Sequence, residues 1–467
     1  MTGSLSSLNT ALTALRYHRV AMDVASNNVA NVATEGYTRR RVEAESIGAP
    51  NVPATWSTYD GAGGGVRTSG ITRIADTLLD TRSRQENASL AELSARATSL
   101  ARLESGVGEP GDSGVNAALA AFRSAWQDLA NDPGSTAARN QVIAQGQSVA
   151  QALAGQSANV QGELATQRAA VLGALDEVNT VAAELAATNE AISSSRLDGV
   201  DVSDLLDQRD LLAHQLAELG GGEVTYRADG GVDVSVGGEL LVSGAFAGRV
   251  ELTSGITPTG GADGAPIALA VTLTTPSGTT TSAVSGDVGG RLGAAVSLVD
   301  GDLASYAAGL DAVAVGIADA VNAVHAAGYD LDGATGRDFF TYTAGAAAST
   351  LSVAVTAREV AASDVAGGAL DGSTADRIGT ARDAEAAYQS LVSGLGTDVA
   401  SAARLSRTQG LLAGQVDSAR EQLSGVNLDE EMVSMLTAQR AYEAAARVMT
   451  VMDSVLDTLI NRTGVTR

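Results

Sequence analysis

The chain has 467 residues and a formal charge of -24, with 54 acids set against 30 bases, so it lacks the basic face that nucleic acid or an anionic membrane would require. Every base is Arg and there is neither Lys nor Cys, which excludes Schiff-base chemistry, a phosphate-loop lysine, disulfides, thiol nucleophiles and Cys-ligated zinc. At a soft prior of ~150 residues per domain, the length suits roughly three domains.

Met1 to Thr10 are polar and carry no cationic stretch ahead of an apolar one, so no cleaved secretory signal is expected. A helix is predicted from Ser4, a good N-cap, to near Gly36, a residue that tolerates the left-handed turn at a helix end. About 30 residues at 1.5 Å each make a rod of roughly 45 Å. Along it Leu8, Leu15, Met22 and Val29 fall seven apart, and Ala11, Ala25 and Val32 form a thinner row three residues on, with His18 on the same seam. Residues 42–75 then change character: Pro50, Pro53, the run Gly61 to Gly65, and Val66, Thr68 and Ile71 predict an extended or hairpin segment.

From Asp76 to about Leu219 the pattern is helical, broken near Gly106 to Gly114 and at Asp132-Pro133-Gly134. After Gly220-Gly221-Gly222, runs at 223–227, 232–236 and 239–243 are punctuated by Asp229-Gly230-Gly231 and Gly237-Gly238 as a strand meander would be. Val232, Val234 and Val236 alternate with polar residues, which buries one face and wets the other. Strand-like Thr and Val runs continue to about Ser285, and helices resume from about Arg291 apart from a strand-prone stretch near Phe339 to Val355. The apolar run 307–328 is interrupted by Asp311, Asp319, Asn322 and His325, so no membrane insertion is expected.

The last helix opens at Asn427, an N-cap with Glu430 three residues later as in a capping box. Leu428, Met435, Tyr442, Met449 and Leu456 repeat at seven, and Ala438, Ala445, Met452 and Leu459 fill the row three residues later. Each end of the chain therefore carries a coiled-coil seam. Residues 1–41 hold a net +3 and residues 424–467 a net -2, so the two ends are weakly complementary and the middle carries the acid excess.

No catalytic, cofactor or metal site is predicted. Asp204, Asp207 and Asp210 lie at helical spacing and read as a solvated acidic face beside Arg209. Asp330-Leu331-Asp332-Gly333 reads as a turn, because its Gly is misplaced for an EF-hand and Thr341 stands where the bidentate Glu would be. Asn27 and Asn31 share a helix face, where their amides could set the register of neighbouring helices or could simply be solvated near the helix end. The acids of 221–285 form no legible catalytic constellation.

The segment Asn27 to Arg39, which contains Asn28, Asn31, Gly36 and Tyr37, resembles the N-terminal motif of the bacterial flagellar axial family, the rod, hook and hook-associated group. Ser424 to Glu431, with the helix through Gln439, Tyr442 and Leu459, is similar to that family's C-terminal motif. Asp204-Leu205-Leu206-Asp207-Gln208-Arg209-Asp210, Gly289 to Leu292, Val321-Asn322 and the stretch from Gly328 to Phe340 resemble its hook-filament junction branch. The resemblance implies a mainly α, multidomain protein with β insertions. Terminal helices (1–41 with 424–467) would form a coiled coil in the inner core of the flagellum. An elongated helical middle domain (42–220 with 286–423) and a small β-rich outer domain (221–285) would face outward.

It implies an assembly interface carried by Leu8, Leu15, Met22, Asn28, Val29, Asn31, Gly36, Tyr37, Asn427, Leu428, Met435, Tyr442, Met449 and Leu456. The implied partners are further copies in a ring, the hook protein, a second hook-associated junction protein, and an export chaperone at the C-terminal helix. Location outside the cell, reached through the flagellar export apparatus without a cleaved signal, follows from the same resemblance. The alternatives are another axial member, such as the hook protein or the second junction protein, or an extracellular enzyme carried on an axial scaffold.

Overall fold

The computed structural model describes residues 2–48, 63–111, 114–368 and 370–458; Pro50, Pro53 and Gly61 of the expected hairpin and Leu459 of the seam lie outside them. Helix α1 (Thr2–Ala30) is followed by an antiparallel hairpin, β1 (Arg40–Ile47) and β2 (Gly65–Arg73). The Asp76 carboxylate accepts the N–H groups of Leu78 and Leu79 and so starts α2 (Thr77–Val107), which ends on left-handed Gly108. Next come α3 (Val115–Asn131) and α4 (Thr136–Leu197), the latter capped by Ser135. At 62 residues α4 is about 93 Å long. A break at 198–202, absent from the sequence reading, separates α4 from α5 (Ser203–Gly220).

Seven short strands follow: β3 (Glu223–Tyr226), β4 (Val232–Val236), β5 (Glu239–Ser243), β6 (Phe246–Ala247), β7 (Arg249–Ser254), β8 (Ala268–Thr275) and β9 (Gly278–Ala283). They form two antiparallel sheets in sequential order, β3 to β6 and β7 to β9. The chain returns through α6 (Gly290–Ser297), a π-helical turn at Leu298–Asp302, and α7 (Leu303–His325). Two-residue strands β10 (Phe340–Thr341) and β11 (Ser352–Val353) pair around α8 (Ala347–Thr350). Helices α9 (Ser373–Thr380), α10 (Asp383–Ser424) and α11 (Leu428–Asp457) complete the chain.

Among the described residues, three apolar cores lie along the body. In one, Val171, Val178 and Leu185 of α4 meet Leu216 of α5 and the inward row Val232, Val234 and Val236 of β4. A second gathers Val142, Val149 and Leu153 at the other end of α4 with Trp126, Leu310, Phe339 and Phe340. The third, Leu100, Val160, Leu303 and Leu395, ties α2, α4, α7 and α10 together between them. The apolar run Gly290–His325 is long enough to cross a membrane by length and composition, but residues along it contribute to all three cores.

Asparagines join helices to neighbouring backbone by one recurrent device. Asn179 accepts the Val250 N–H at 2.7 Å and donates to the Val250 carbonyl at 3.0 Å. Asn189 does the same to Val232, and Asn322 to Phe340, with every distance between 2.8 and 3.0 Å. Each amide thus mimics the neighbouring strand and satisfies a backbone pair that would otherwise be buried without partners.

His325 is a fourth such pin. Its Nδ1–H donates to the Arg337 carbonyl at 2.7 Å, leaving Nε2 bare to accept the Ala361 N–H at 2.9 Å. Burial pushes its pKa below the ordinary value of 6.5, outweighing the Arg337 hydrogen bond and the pull of Asp338 and Asp330. Because the folded state holds the ring neutral, stability is complete above the unfolded pKa and falls as pH drops below about 6.5. The thermal midpoint of His325→Gln should therefore depend less on pH between 7 and 5 than that of the parent, as measured by circular dichroism melts.

Candidate functional site

Helices α1 and α11 pack along each other, yet the covered stripe is narrower than the seven-residue rows suggest. Ala11, Ala25 and Ala438 are buried, which lets the two backbones approach closely. Leu8, Leu15, Met22, Val29, Met435, Met449 and Leu456 flank them, each half-buried. Val32 is exposed because it lies in the turn beyond the end of α1, and Leu428 and Tyr442 are exposed because two helices cover only one face of each other. The far side of α11 presents a second apolar face, with Met432, Val433, Leu436, Val448, Val451 and Val455 all exposed, that the seven-residue rows do not contain.

The hairpin β1–β2 packs on α1 and reaches α5 through Arg40 and Arg73. Helix α1 also ends earlier than Gly36. Asn31 donates from its side chain to the Asn27 carbonyl and carboxamide oxygens at 3.0 and 3.2 Å and accepts from the Thr34 hydroxyl, which closes the helix locally. Asn27 and Asn31 therefore set no register between helices. That part falls to Asn28, which is buried, clamps the Arg40 N–H and carbonyl at 3.1 and 3.0 Å, and donates to Glu431 of α11 at 3.0 Å.

From Tyr37 to Arg40, each residue reaches a different part of the molecule. The Tyr37 hydroxyl donates to Asn28 at 2.8 Å, tying the segment to α1. Thr38 accepts from Arg73 of β2 at 3.1 Å. Arg39 holds Glu431 at 2.7 Å and Glu430 at 2.9 Å on α11, while its N–H donates to the Ser424 carbonyl. Glu430 is thereby drawn away from a reciprocal capping box, and Asn427 caps alone through Asp429 and Glu430 N–H at 3.0 and 3.4 Å. Arg40 crosses to α5, where it pairs with Asp204 and with Asp207 at 3.1 Å. At the turn itself, Gly36 has φ +77°, and an added Cβ would lie 3.3 Å from that of Leu211.

The aspartates on α5 are not a solvated face. Asp207 and Asp210 are 7 % and 9 % exposed, burial enough that they need cations beside them; only the Asp204 side chain reaches solvent. Arg73 supplies one cation, at 2.7 Å from Asp207 and 2.9 Å from Asp210, and Arg209 holds Asp210 from the same helix at 2.6 Å. Burial pushes the Tyr37 phenol up to about 12, with Arg40 opposing and nearby acids adding to the rise. Burial pulls the Arg40 guanidinium down, but the hydrogen bonds it donates to Asp204 and Asp207, with the charges around it, outweigh that and hold it up. With the phenol held neutral and the Arg charged, this is a lattice of donors and acceptors suited to joining parts.

The family model described as flagellar hook-associated protein FlgK helical domain matches residues 100–340. Models described as flagella basal body rod protein and flagellar basal body rod FlgEFG protein C-terminal match 8–38 and 420–462. The chain is 30% identical over 511 aligned positions to flagellar hook-associated protein 1 of Bacillus subtilis, covering 100% of this chain and 99% of that one. Against the same-named Escherichia coli protein the identity is 23%, covering 98% and 99%. The structure of the flagellar hook junction protein FlgK from Burkholderia pseudomallei has the same fold, with a TM-score of 0.61 at 16% identity over 74% of this chain and 100% of that one. With its mainly helical body, long paired terminal helices and small antiparallel sheets, this chain belongs to the family of flagellar hook-associated protein 1, structural proteins of the bacterial flagellum.

Proposed function

We propose that this chain forms the junction between hook and filament, non-catalytically, through its paired terminal helices. The supporting observation is the end-to-end match to a hook-associated protein 1 together with the α1–α11 pair, which brings both terminal motifs onto one rod. The interface is the seam from Leu8 to Val29 with that from Met435 to Leu456. Leu428, Tyr442 and the outer apolar face of α11 remain free for other subunits. The partners are further copies in a ring, the hook protein and the second hook-associated protein, reached outside the cell after passage through the flagellar export apparatus without a cleaved signal. Residues 1–41 with 424–467 act as inner-core segments that carry the β1–β2 hairpin beside them, the rest of 42–220 with 286–423 as the middle domain, and 221–285 as the outer one.

The test is complementation. In a strain lacking the gene, electron microscopy should find hooks without filaments and flagellin in the medium, and restoring the chain should restore filaments. Hooks that grow normal filaments in its absence would refute the proposal.

Before export, the exposed face of α11 with Met432, Val433 and Leu436 offers an adaptable apolar strip to a chaperone groove. Deleting residues 425–467 should lower chaperone affinity at least tenfold in calorimetry. Unchanged affinity would place the chaperone elsewhere.

A further inference from the structure

We propose that Asp204, Asp207 and Asp210 of α5 form a releasable latch that sets the angle between the terminal unit and the body. The terminal unit comprises α1, β1, β2 and α11, which pack on one another. None of the three apolar cores includes a residue from these four elements. Apart from the turn at Gly36, which lies against Leu211 of α5, what bridges the gap is ionic: Arg40 and Arg73 from the terminal unit, received by the three carboxylates of α5.

The covalent crossings suit a hinge. The chain passes from unit to body at 74–76 and returns at 425–427, and both helix caps there, Asp76 (φ -121°, ψ 111°) and Asn427 (φ -96°, ψ 114°), are extended. Two backbone hydrogen bonds hold the crossings beside Arg39: Ile74 N–H to the Arg39 carbonyl at 2.8 Å, and Arg39 N–H to the Ser424 carbonyl at 2.9 Å. Rotation about this narrow strap leaves every apolar core intact.

The chemistry of the contact favours release over permanent closure. Desolvating an ion pair costs about as much as its attraction returns, so closed and hydrated states lie close in free energy. An apolar contact of the same size would instead favour closure in proportion to its area. The closed state also leaves Arg40 Nε buried without a hydrogen-bond partner. The mobile charges are sorted by sign, with bases on the unit and acids on the body, while Arg209 holds Asp210 from within α5 whether or not Arg73 is present. The motif that reads in sequence as an acidic helix face is, in the fold, the socket for two arginines 164 and 137 residues away. Its consequence is a terminal rod that can swing to the pitch of its neighbours and lock there.

The chain has no native Cys, so spin labels can be placed at will. Labels on exposed Gln439→Cys of α11 and exposed Glu190→Cys of α4 report the angle as a distance distribution by pulsed electron resonance. The full-length parent should give one narrow distribution in about 0.1 M salt. Asp207→Asn with Asp210→Asn, and separately Arg73→Gln from the other side of the latch, should each widen it at least twofold. About 1 M salt, where the screening length falls from about 10 Å to about 3 Å, should widen the parent in the same direction. Tryptophan fluorescence melts in a Trp56→Phe background, which leaves Trp126 as the reporter, should show an unchanged body. Distributions as narrow in both variants as in the parent would overturn the latch, as would a parent already broad in low salt or widening accompanied by loss of the body's transition.

Discussion

Asp in place of Ala25 or Met449 will leave the body folded and abolish assembly. Ala25 is 4 % exposed on the helix that packs along α11, so a carboxylate there is cut off from water, and an unpaired buried charge costs several kcal/mol. An isolated two-helix rod has no such reserve, since most helical stability comes from packing. Met449 is half-buried and its substitution should act in the same direction with a smaller effect. Because no apolar core of the body includes either residue, tryptophan fluorescence melts in a Trp56→Phe background should coincide with the parent. The variants should reach the medium yet leave hooks bare in electron micrographs. Normal filaments would show that this seam is not the axial contact.

Trp126→Ala will do the reverse. The indole is fully buried among Phe122, Phe339 and His325, with ring centroids 6.0, 5.4 and 6.2 Å away, so its removal opens a cavity where α3 and α7 meet the chain entering β10. Truncating such a ring costs about 3–5 kcal/mol. That should lower the transition of this core by roughly 10 °C in calorimetry, at 2–4 °C per kcal/mol. Trp126→Phe should cost far less, because the indole Nε1 has no hydrogen-bond partner and the ring swap removes that buried donor. A loss with Phe as large as with Ala would mean that shape, not buried area, sets the cost. Circular dichroism should still report the terminal helices in both variants.

Local chemistry was the legible part of this chain. Asp76, Ser135 and Asn427 start helices because a short side-chain oxygen meets the first free N–H groups, a relation contained within four residues. The inward Val232, Val234 and Val236 follow from the two-residue period of a strand. What could not be read was anything settled by a distant partner. Asp207 and Asp210 have the same spacing on a wet helix as on this dry one, and only the arrival of Arg73 from β2 distinguishes the two. The run Arg39-Arg40-Arg41 was the available hint, since three adjacent cations next to a helix end call for acids somewhere. Glu430 illustrates the same limit: the spacing for a capping box is present, but a guanidinium competes for the carboxylate and takes it. Asn179 and Asn189 gave no signal, because an amide in a long helix looks alike whether it faces water or a strand.

The unbroken α4 makes the body a beam. A load applied to the sheets at one end reaches the Trp126 core at the other along a single hydrogen-bonded column, with no loop in series to absorb it. Helices of this length curve gently and kink only at identifiable defects, and α4 contains no proline. Stiffness is thereby concentrated along α4, and the latch proposed above would put the compliance at the strap beside Arg39. In a rotating shaft, such a subunit would transmit torque through its body while its root follows the bending of the axis.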